Sequence, residues 1–368
     1  EEVEKAYIDT VKGKTIRKEL VKENASDLKV IYTPIHGSGN MPVRRILNEL
    51  GYTGVSVVKE QEMPDGNFPT ASYPNPEEPA VFKLALEMAK TENPDVIFAT
   101  DPDADRIGVV VKDSEGEYRV LTGNQTGLLL TQYILDALKE EGRLPEDGVI
   151  IKTIVTTDGA KKIAEAYNIE LMEVLTGFKY IGEKIQGFEV NKDKTYIFGF
   201  EESYGYLAGD FVRDKDAVIA AMLIAEMTLF YKEKGKSLYD GLVELYEKYG
   251  YFKETLVSFE LKGKEGSEKI SKCIDSLRNE NLVEVNWVKI VTKYDYKLGT
   301  EENISSGDKK EIDLPKSNVL KFVLENGAWF VVRPSGTEPK MKAYVAVKGN
   351  SLKDSEEKLE SFKNEVVS

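Results

Sequence analysis

The segment Asp101-Pro102-Asp103-Ala104-Asp105-Arg106 sets three carboxylates at every second position between two apolar runs, Val96-Ile97-Phe98-Ala99 and Ile107-Gly108-Val109-Val110-Val111. Both runs predict buried strands, so the acidic turn joins two elements of a packed sheet. Three anionic groups so close repel one another unless positive charge lies among them. Oxygen donors of this kind are what a hard divalent cation takes. The spacing begins like a calcium-binding EF-hand loop, but the glycine needed after the third acid is Arg106, and the bidentate glutamate position is Lys112. Three carboxylates beside an arginine fit Mg²⁺ better, with a phosphate as a further ligand. A solvated acidic turn is the plain alternative.

The rest of the composition narrows the partners. A chain of 368 residues, 41% hydrophobic and 31% charged, is long enough for two or three domains with cores of their own. No run of about 18 apolar residues predicts a membrane span. The opening Glu1-Glu2-Val3-Glu4-Lys5 is charged and lacks the apolar stretch of a signal peptide. One cysteine, Cys273, allows no internal disulfide, suits a reducing cytoplasm, and reads as a small side chain on a helix face rather than a nucleophile. A net charge of −14 argues against nucleic acid as partner, because a polyanion needs a basic surface. A phosphorylated small molecule remains compatible, with local positive contacts.

In chain order, residues 1–27 read as a charged helical lead-in with apolar positions at Val3, Tyr7, Val11 and Ile16. Opening in mid-helix without a cap, they suggest a truncated domain upstream. A strand at 28–32 leads into Thr33-Pro34-Ile35-His36-Gly37-Ser38-Gly39-Asn40 and a helix to residue 50. Backbone N–H groups in such a loop can face an anion, but Pro42 occupies the third glycine position of a dinucleotide fingerprint. His36, the only histidine, reads first as a local hydrogen-bonding group and second as a substrate contact. After a strand at 55–58, Asn75 is expected as an N-cap with Pro76 at the first helical position and Glu78 closing a capping box, before a helix at 80–90. Strands at 149–155, 171–174 and 195–200 then alternate with helices at 125–138, 158–167, 216–232 and 238–249. From 251 the rhythm changes to strands at 255–261, 283–291, 319–324, 328–332 and 342–347, with helices at 267–278 and 351–366. The expected class is therefore α/β: two consecutive doubly wound α/β domains, at 28–120 and 121–250, followed by a smaller α+β domain with an antiparallel sheet at 251–368. Residues 299–310 are expected as the most mobile loop.

Two phosphate-loop look-alikes fail. Gly177-Phe178-Lys179-Tyr180-Ile181-Gly182 is followed by Glu183 where lysine is required, and Gly235-Lys236-Ser237 has Phe230 where the first glycine belongs. Two other stretches carry chemistry. Arg333-Pro334-Ser335-Gly336-Thr337-Glu338-Pro339-Lys340 offers a planar guanidinium, two hydroxyls and a glycine that lets N–H groups converge on an anion. Gly199-Phe200-Glu201-Glu202-Ser203-Tyr204-Gly205-Tyr206 offers carboxylates and a hydroxyl suited to vicinal sugar hydroxyls. Alone, each also reads as an ordinary turn or surface loop.

Together these motifs resemble the α-D-phosphohexomutase superfamily, and within it the bacterial, Gram-positive-type phosphoglucomutase/phosphomannomutase branch. The resemblance implies Mg²⁺ on Asp101, Asp103 and Asp105, with Arg106 near the transferring phosphoryl group. It implies sugar hydroxyls read by Glu201 and Ser203, and the non-reacting phosphate held by Arg333, Ser335, Gly336 and Thr337. Thr176-Gly177-Phe178-Lys179 matches the turn of the sugar domain, and Arg213, Lys215 and Asp216 match an Arg-x-Lys-Asp segment that puts a lysine near the reacting hydroxyl. Lys215 would shuttle that proton if nearby positive charge lowers its pKa. The implied activity is a Mg²⁺-dependent exchange of hexose 1-phosphate and hexose 6-phosphate through a phosphoserine, with hexose 1,6-bisphosphate as intermediate and activator. One departure stands out: the family's phosphoserine lies in a first domain, whereas the match here begins at the second. Thr70-Ala71-Ser72 echoes the phosphoserine loop but lies downstream of that domain's first strand, so Ser72 is not read as the nucleophile. The chain alone is then expected to be inactive. A non-catalytic phosphosugar-binding module, and a phosphatase using Asp101 as nucleophile, remain alternatives, and the sequence does not choose among glucose, mannose, glucosamine and pentose phosphates.

Overall fold

The computed structural model describes residues 2–261, 263–335 and 340–367 and divides into two compact units, Glu1–Leu245 and Tyr246–Ser368. The first unit is built on two sheets. In one, strands β1 (Lys29–Thr33), β2 (Gly54–Val57), β3 (Val96–Thr100), β4 (Ile107–Lys112) and β5 (Tyr118–Leu121) lie in the order β2-β1-β3-β4-β5. The β1–β2 and β1–β3 pairs are parallel, and β4 and β5 complete the sheet antiparallel. Every residue of β3 is buried, as a strand covered on both faces requires. The other sheet holds β6 (Gly148–Thr153), β7 (Glu170–Val174), β8 (Thr195–Phe200) and β9 (Tyr206–Ala208) in the order β7-β6-β8-β9, parallel except for the β8–β9 pair.

One helix explains why two α/β domains form one unit. Ala217–Glu233 is apolar all round and buried from Ala217 to Leu229, the pattern of a helix with protein on every side. It packs on β3, β4 and the helix Asn40–Glu49 of the first domain, and on β9 and the helix Gly123–Glu140 of the second.

The lead-in departs from one continuous helix. Glu2–Gly13 and Lys18–Asn24 are helical, with a break between them where the amides of Ile16 and Arg17 donate to the buried Glu226 carboxylate (3.1 and 2.8 Å). Val3 is exposed, and Ile8 and Val11 form the buried stripe instead. The expected capping box at Asn75 does not form. Asn75 Oδ1 accepts the amide of Glu77 in a local turn, a 3-10 turn follows at Pro79–Phe82, and the α-helix begins only at Lys83. Pro79 accounts for the delay, because the residue before a proline is pushed out of the helical region.

The second unit is an antiparallel sheet under two helices. Strands β10 (Tyr251–Glu260), β11 (Glu284–Val285), β12 (Val288–Asp295), β13 (Thr300–Asn303), β14 (Lys309–Glu311), β15 (Leu320–Leu324), β16 (Trp329–Pro334) and β17 (Lys340–Gly349) run in the order β10-β17-β16-β15-β12-β13-β14, with β11 paired to β12. Ile274 of the helix Gly263–Asn279 and Phe362 of the helix Leu352–Val367 enter a core with Phe322, Phe330 and Val345. The segment expected to be a mobile loop is instead the β13–β14 hairpin, closed by Asn303, whose side chain accepts the amides of Ser305 and Ser306.

Candidate active site where two loops of the first unit meet

The acidic turn leaves β3 and re-enters as β4, which fixes both ends. Inside it Ala104 adopts φ +58°, and Asp101 Oδ1 accepts the amides of Asp105 (3.1 Å) and Arg106 (2.9 Å). That folding turns the alternating acids toward one point, and their carboxylate oxygens lie within 4.8 Å of one another. Burial, with the charges of Asp105 and Asp103 added to it, pushes the Asp101 carboxyl up to about 7. Asp105 Oδ1 is buried without a hydrogen-bond partner. Arg106 stands over the cluster, 3.9 Å from Asp101 and 3.7 Å from Asp105, and is held by Glu77 at 3.0 Å. Gly37 and Gly39 make this approach possible, since a Cβ at Gly37 would come within 2.6 Å of Pro102 and one at Gly39 within 2.7 Å of the Thr100 hydroxyl.

The Glu201 loop meets the acidic loop through main chain. Arg106 bridges to Gly205, the Ile107 amide donates to Tyr204 C=O (3.1 Å), and the Ala217 amide donates to Ala104 C=O (3.0 Å). Tyr204 has φ +67°, so the loop turns sharply just past Ser203, which is partly exposed. Glu201 is buried and accepts the Gly177 amide at 3.0 Å, tying the Thr176–Gly177 turn to the loop. Gly177 sits at φ +116°, open to glycine alone in practice. Burial and the neighbouring Glu202 charge push the Glu201 carboxyl up to about 7. Glu202 itself is turned inward, accepting the hydroxyls of Thr153 and Thr156 at 3.1 Å each.

Lys215 reaches the acids from the other side. Its stem crosses Gly205, where a Cβ would lie 2.0 Å from Lys215 Cδ, and its ammonium pairs with Asp105 at 2.9 Å and Asp214 at 3.2 Å. Arg106 approaches the same Asp105 at 3.7 Å, but the groups that the Lys215 ammonium pairs with are carboxylates rather than the positive charge expected. Burial works to lower the Lys215 pKa, but the carboxylates of Asp105, Asp214 and Glu201 outweigh it and raise it. Arg213 is turned to Glu189 and to the carbonyls of Asp210 and Val212. Asp216 caps the buried helix, accepting the amides of Val218 (2.8 Å) and Ile219 (3.1 Å).

His36 is a local anchor: its ring nitrogens lie 3.1 Å from Met63 C=O and 2.9 Å from the Thr70 hydroxyl. Ser72 is exposed. In the second unit, Arg333 is the penultimate residue of β16, opposite Lys342, and the Ser335 amide donates to Lys340 C=O (2.7 Å). Gly336 and Thr337 lie outside the described residues. Glu77, Glu202 and Tyr7, whose hydroxyl reaches Asp216, had no sequence signal for their contacts near the site. Glu77 lay within a segment that reads as a helix entry, Tyr7 read as an apolar position of the lead-in helix, and Glu202 read as one of the carboxylates of the sugar-type loop rather than as a group turned inward.

Three family profiles match: phosphoglucomutase/phosphomannomutase alpha/beta/alpha domain II at residues 5–116, alpha/beta/alpha domain III at 122–249, and the C-terminal domain at 289–367. A phosphoglucomutase of Staphylococcus saprophyticus is 36% identical over 345 residues, 94% of this chain and 62% of the relative. The chain thus spans about three-fifths of the curated relatives it matches. A phosphoglucomutase/phosphomannomutase family protein of Burkholderia thailandensis shares the fold at TM-score 0.67 and 16% identity, over 99% of this chain and 63% of that one. An N-acetylphosphoglucosamine mutase of Aspergillus fumigatus, solved with GlcNAc-6P and magnesium, does so at TM-score 0.51 and 15% identity, over 95% and 63%. No helix among the described residues is long and apolar enough to cross a membrane. With domains II, III and IV matched in order and a relative 36% identical over 94% of this chain, the chain belongs to the phosphoglucomutase/phosphomannomutase family.

Proposed function

We propose that this chain supplies the metal-, sugar- and phosphate-binding domains of a Mg²⁺-dependent phosphohexomutase. The reaction is exchange of hexose 1-phosphate and hexose 6-phosphate, glucose first and mannose second, through a phosphoserine and a hexose 1,6-bisphosphate. The observation that carries this reading is the convergence of Asp101, Asp103 and Asp105 within 4.8 Å, with Arg106 above them and Lys215 2.9 Å from Asp105. The donor set fits Mg²⁺: three hard oxygens, one of them the buried and unpartnered Asp105 Oδ1. The Aspergillus fumigatus mutase complex with GlcNAc-6P and magnesium supports the same pairing of ligands.

Each residue's role follows from its chemistry. Bound Mg²⁺ would stabilise charge on the oxygens of the phosphoryl group in flight. Arg106, oriented by Glu77, places a fixed guanidinium beside the same oxygens. Glu201 and Ser203 accept and donate to sugar hydroxyls, with Thr176 and Gly177 held against them by the Gly177–Glu201 bond. Lys215, ammonium-bearing and bridged to Asp105, hands a proton to the leaving hydroxyl oxygen and recovers it from the attacking one. Arg333, Ser335, Gly336 and Thr337 hold the idle phosphate, so that either end of the sugar presents the same anchor. Arg213 orders the segment that carries Lys215. The phosphoserine is assigned to a domain outside this sequence.

The test is a coupled glucose 1-phosphate to glucose 6-phosphate assay with Mg²⁺ and a trace of glucose 1,6-bisphosphate. It compares this chain, its Ser72→Ala variant and the full-length protein. Turnover by the full-length protein, with hexose phosphate binding but no turnover by this chain, is expected. Turnover by this chain that Ser72→Ala abolishes refutes the placement of the nucleophile. Binding without turnover by the full-length protein identifies a phosphosugar-binding module instead.

A further inference from the structure

The lead-in helix Glu2–Gly13 lies far in sequence from the site, yet it braces the segment that carries Lys215. On one flank it is bound to the domain of the acidic loop: Glu4 pairs with Arg45 at 2.9 Å and Lys12 with Glu49 at 3.7 Å. On the other flank Tyr7 crosses to the second domain. Its hydroxyl lies 2.7 and 2.9 Å from the two carboxylate oxygens of Asp216, and its ring lies 6.2 Å from that of Phe211. Just past the helix, Lys14 runs across Gly209, where a Cβ would fall within 2.7 Å of its stem, and reaches Asp210 at 3.4 Å. Residues 209–216 are thus held from outside at three points.

Asp216 is the residue through which this brace acts. It is buried, it caps the central helix, and its amide donates to Tyr206 C=O at 3.0 Å. Lys215 precedes it directly, and Ala217 follows with its amide on Ala104 of the acidic loop. Fixing the Asp216 carboxylate therefore fixes the peptide from which the Lys215 side chain departs toward Asp105. Capping alone uses Asp216 Oδ1; the bond to Oδ2 from Tyr7 is additional, and it comes from a helix anchored on the other domain.

We propose that Tyr7 is a positioning residue for Lys215, holding the 209–216 segment in register with the acidic loop. The proposal rests on the reading above that Lys215 serves the reacting hydroxyl. A displacement of about 1 Å at such a group is enough to cost roughly a hundredfold in rate, so loss of one of several supports is expected to cost less than that.

The experiment uses the full-length protein with Tyr7→Phe, Lys215→Met and the double variant. Tyr7→Phe keeps the ring on Phe211 and removes only the hydroxyl. It is expected to lower kcat about five- to twentyfold with KM for glucose 1-phosphate within twofold, and to leave Tm nearly unchanged. Hydrogen exchange at the Val218 and Ile219 amides is expected to quicken at least fivefold. Added to Lys215→Met, Tyr7→Phe is expected to cost nothing further, as two residues acting through one group must. A full additional loss in the double variant, or unchanged exchange at 218 and 219, overturns the proposal. Wild-type activity that Lys215→Met leaves intact refutes the role of Lys215 itself, and the exchange data then report separately whether the brace exists.

Discussion

Asp103 offers a test in which two effects of one substitution have opposite sign. Its carboxylate shares a 4.8 Å neighbourhood with those of Asp101 and Asp105, and it is the exposed member of the three. In water's dielectric, unit charges about 4.8 Å apart repel by about 1 kcal/mol, which sets the scale for an exposed group. Asp101, held up to about 7, is only partly charged at neutral pH, so the two repulsions felt by Asp103 total roughly 1–2 kcal/mol. Asp103→Asn removes them, and with them the opposing attraction to Arg106 and Lys215, so it is expected to stabilise the metal-free protein by less than that amount, a small rise in the melting temperature of a unit this size. In Mg²⁺ the order should invert. Wild type at a hundred times its dissociation constant gains about 2.7 kcal/mol, whereas a variant with even tenfold weaker affinity gains only about 1.4 kcal/mol, and greater weakening leaves less. The assay is a melting curve of each protein in EDTA and across a Mg²⁺ titration. A variant less stable than wild type in EDTA, or one that gains as much from Mg²⁺, refutes the reading of this cluster as a metal site under electrostatic strain.

Two further outcomes are expected. Glu226→Ala leaves the amides of Ile16 and Arg17 and the Tyr133 hydroxyl without their acceptor, and at about 1–3 kcal/mol for each orphaned group the loss is roughly 4 kcal/mol, read from the urea midpoint. The carboxyls of Asp101 and Glu201 are both raised to about 7 in the folded chain from ordinary values of 3.8 and 4.5. Between pH 4 and 7 the folded protein therefore binds more protons than the unfolded one. Stability of the metal-free protein should fall as pH rises through that window and level off above it, while Mg²⁺ affinity rises; a flat denaturation profile from pH 4 to 8 counts against both shifts.

What the sequence made legible were the elements whose burial is continuous. The runs that became β3, β4 and β8 and the central helix are apolar enough to be read without context. The edges were not: β5 and β9 are four and three residues long, too short for a periodic signal. The β13–β14 hairpin is charged as edge strands tend to be, and so resembles a loop. The acidic, sugar-type and arginine loops could be named from their residue types, because each carries an unusual density of one chemistry. The surroundings of Lys215 could not, since Asp105 and Glu201 act on it from two remote stretches of chain and Tyr7 holds the adjacent Asp216 from a third. A condition stated for its pKa from sequence alone had no means of counting those carboxylates.

The joints between the acidic loop and the second domain run from main chain to main chain, at Arg106–Gly205 and Ile107–Tyr204 in the Glu201 loop and at Ala104–Ala217 at the start of the central helix. Apart from proline, which removes the donating amide, replacing a side chain does not cut such a joint, whereas inserting or deleting a residue shifts its partners. Under the proposed function, point substitution at 201–203 is therefore free to change which sugar hydroxyls are favoured while the acidic turn stays put. Loop length, rather than residue identity, is what this architecture cannot relax, and lineages that diverge in sugar preference are expected to keep the same number of residues between β3 and β4 and between β8 and β9.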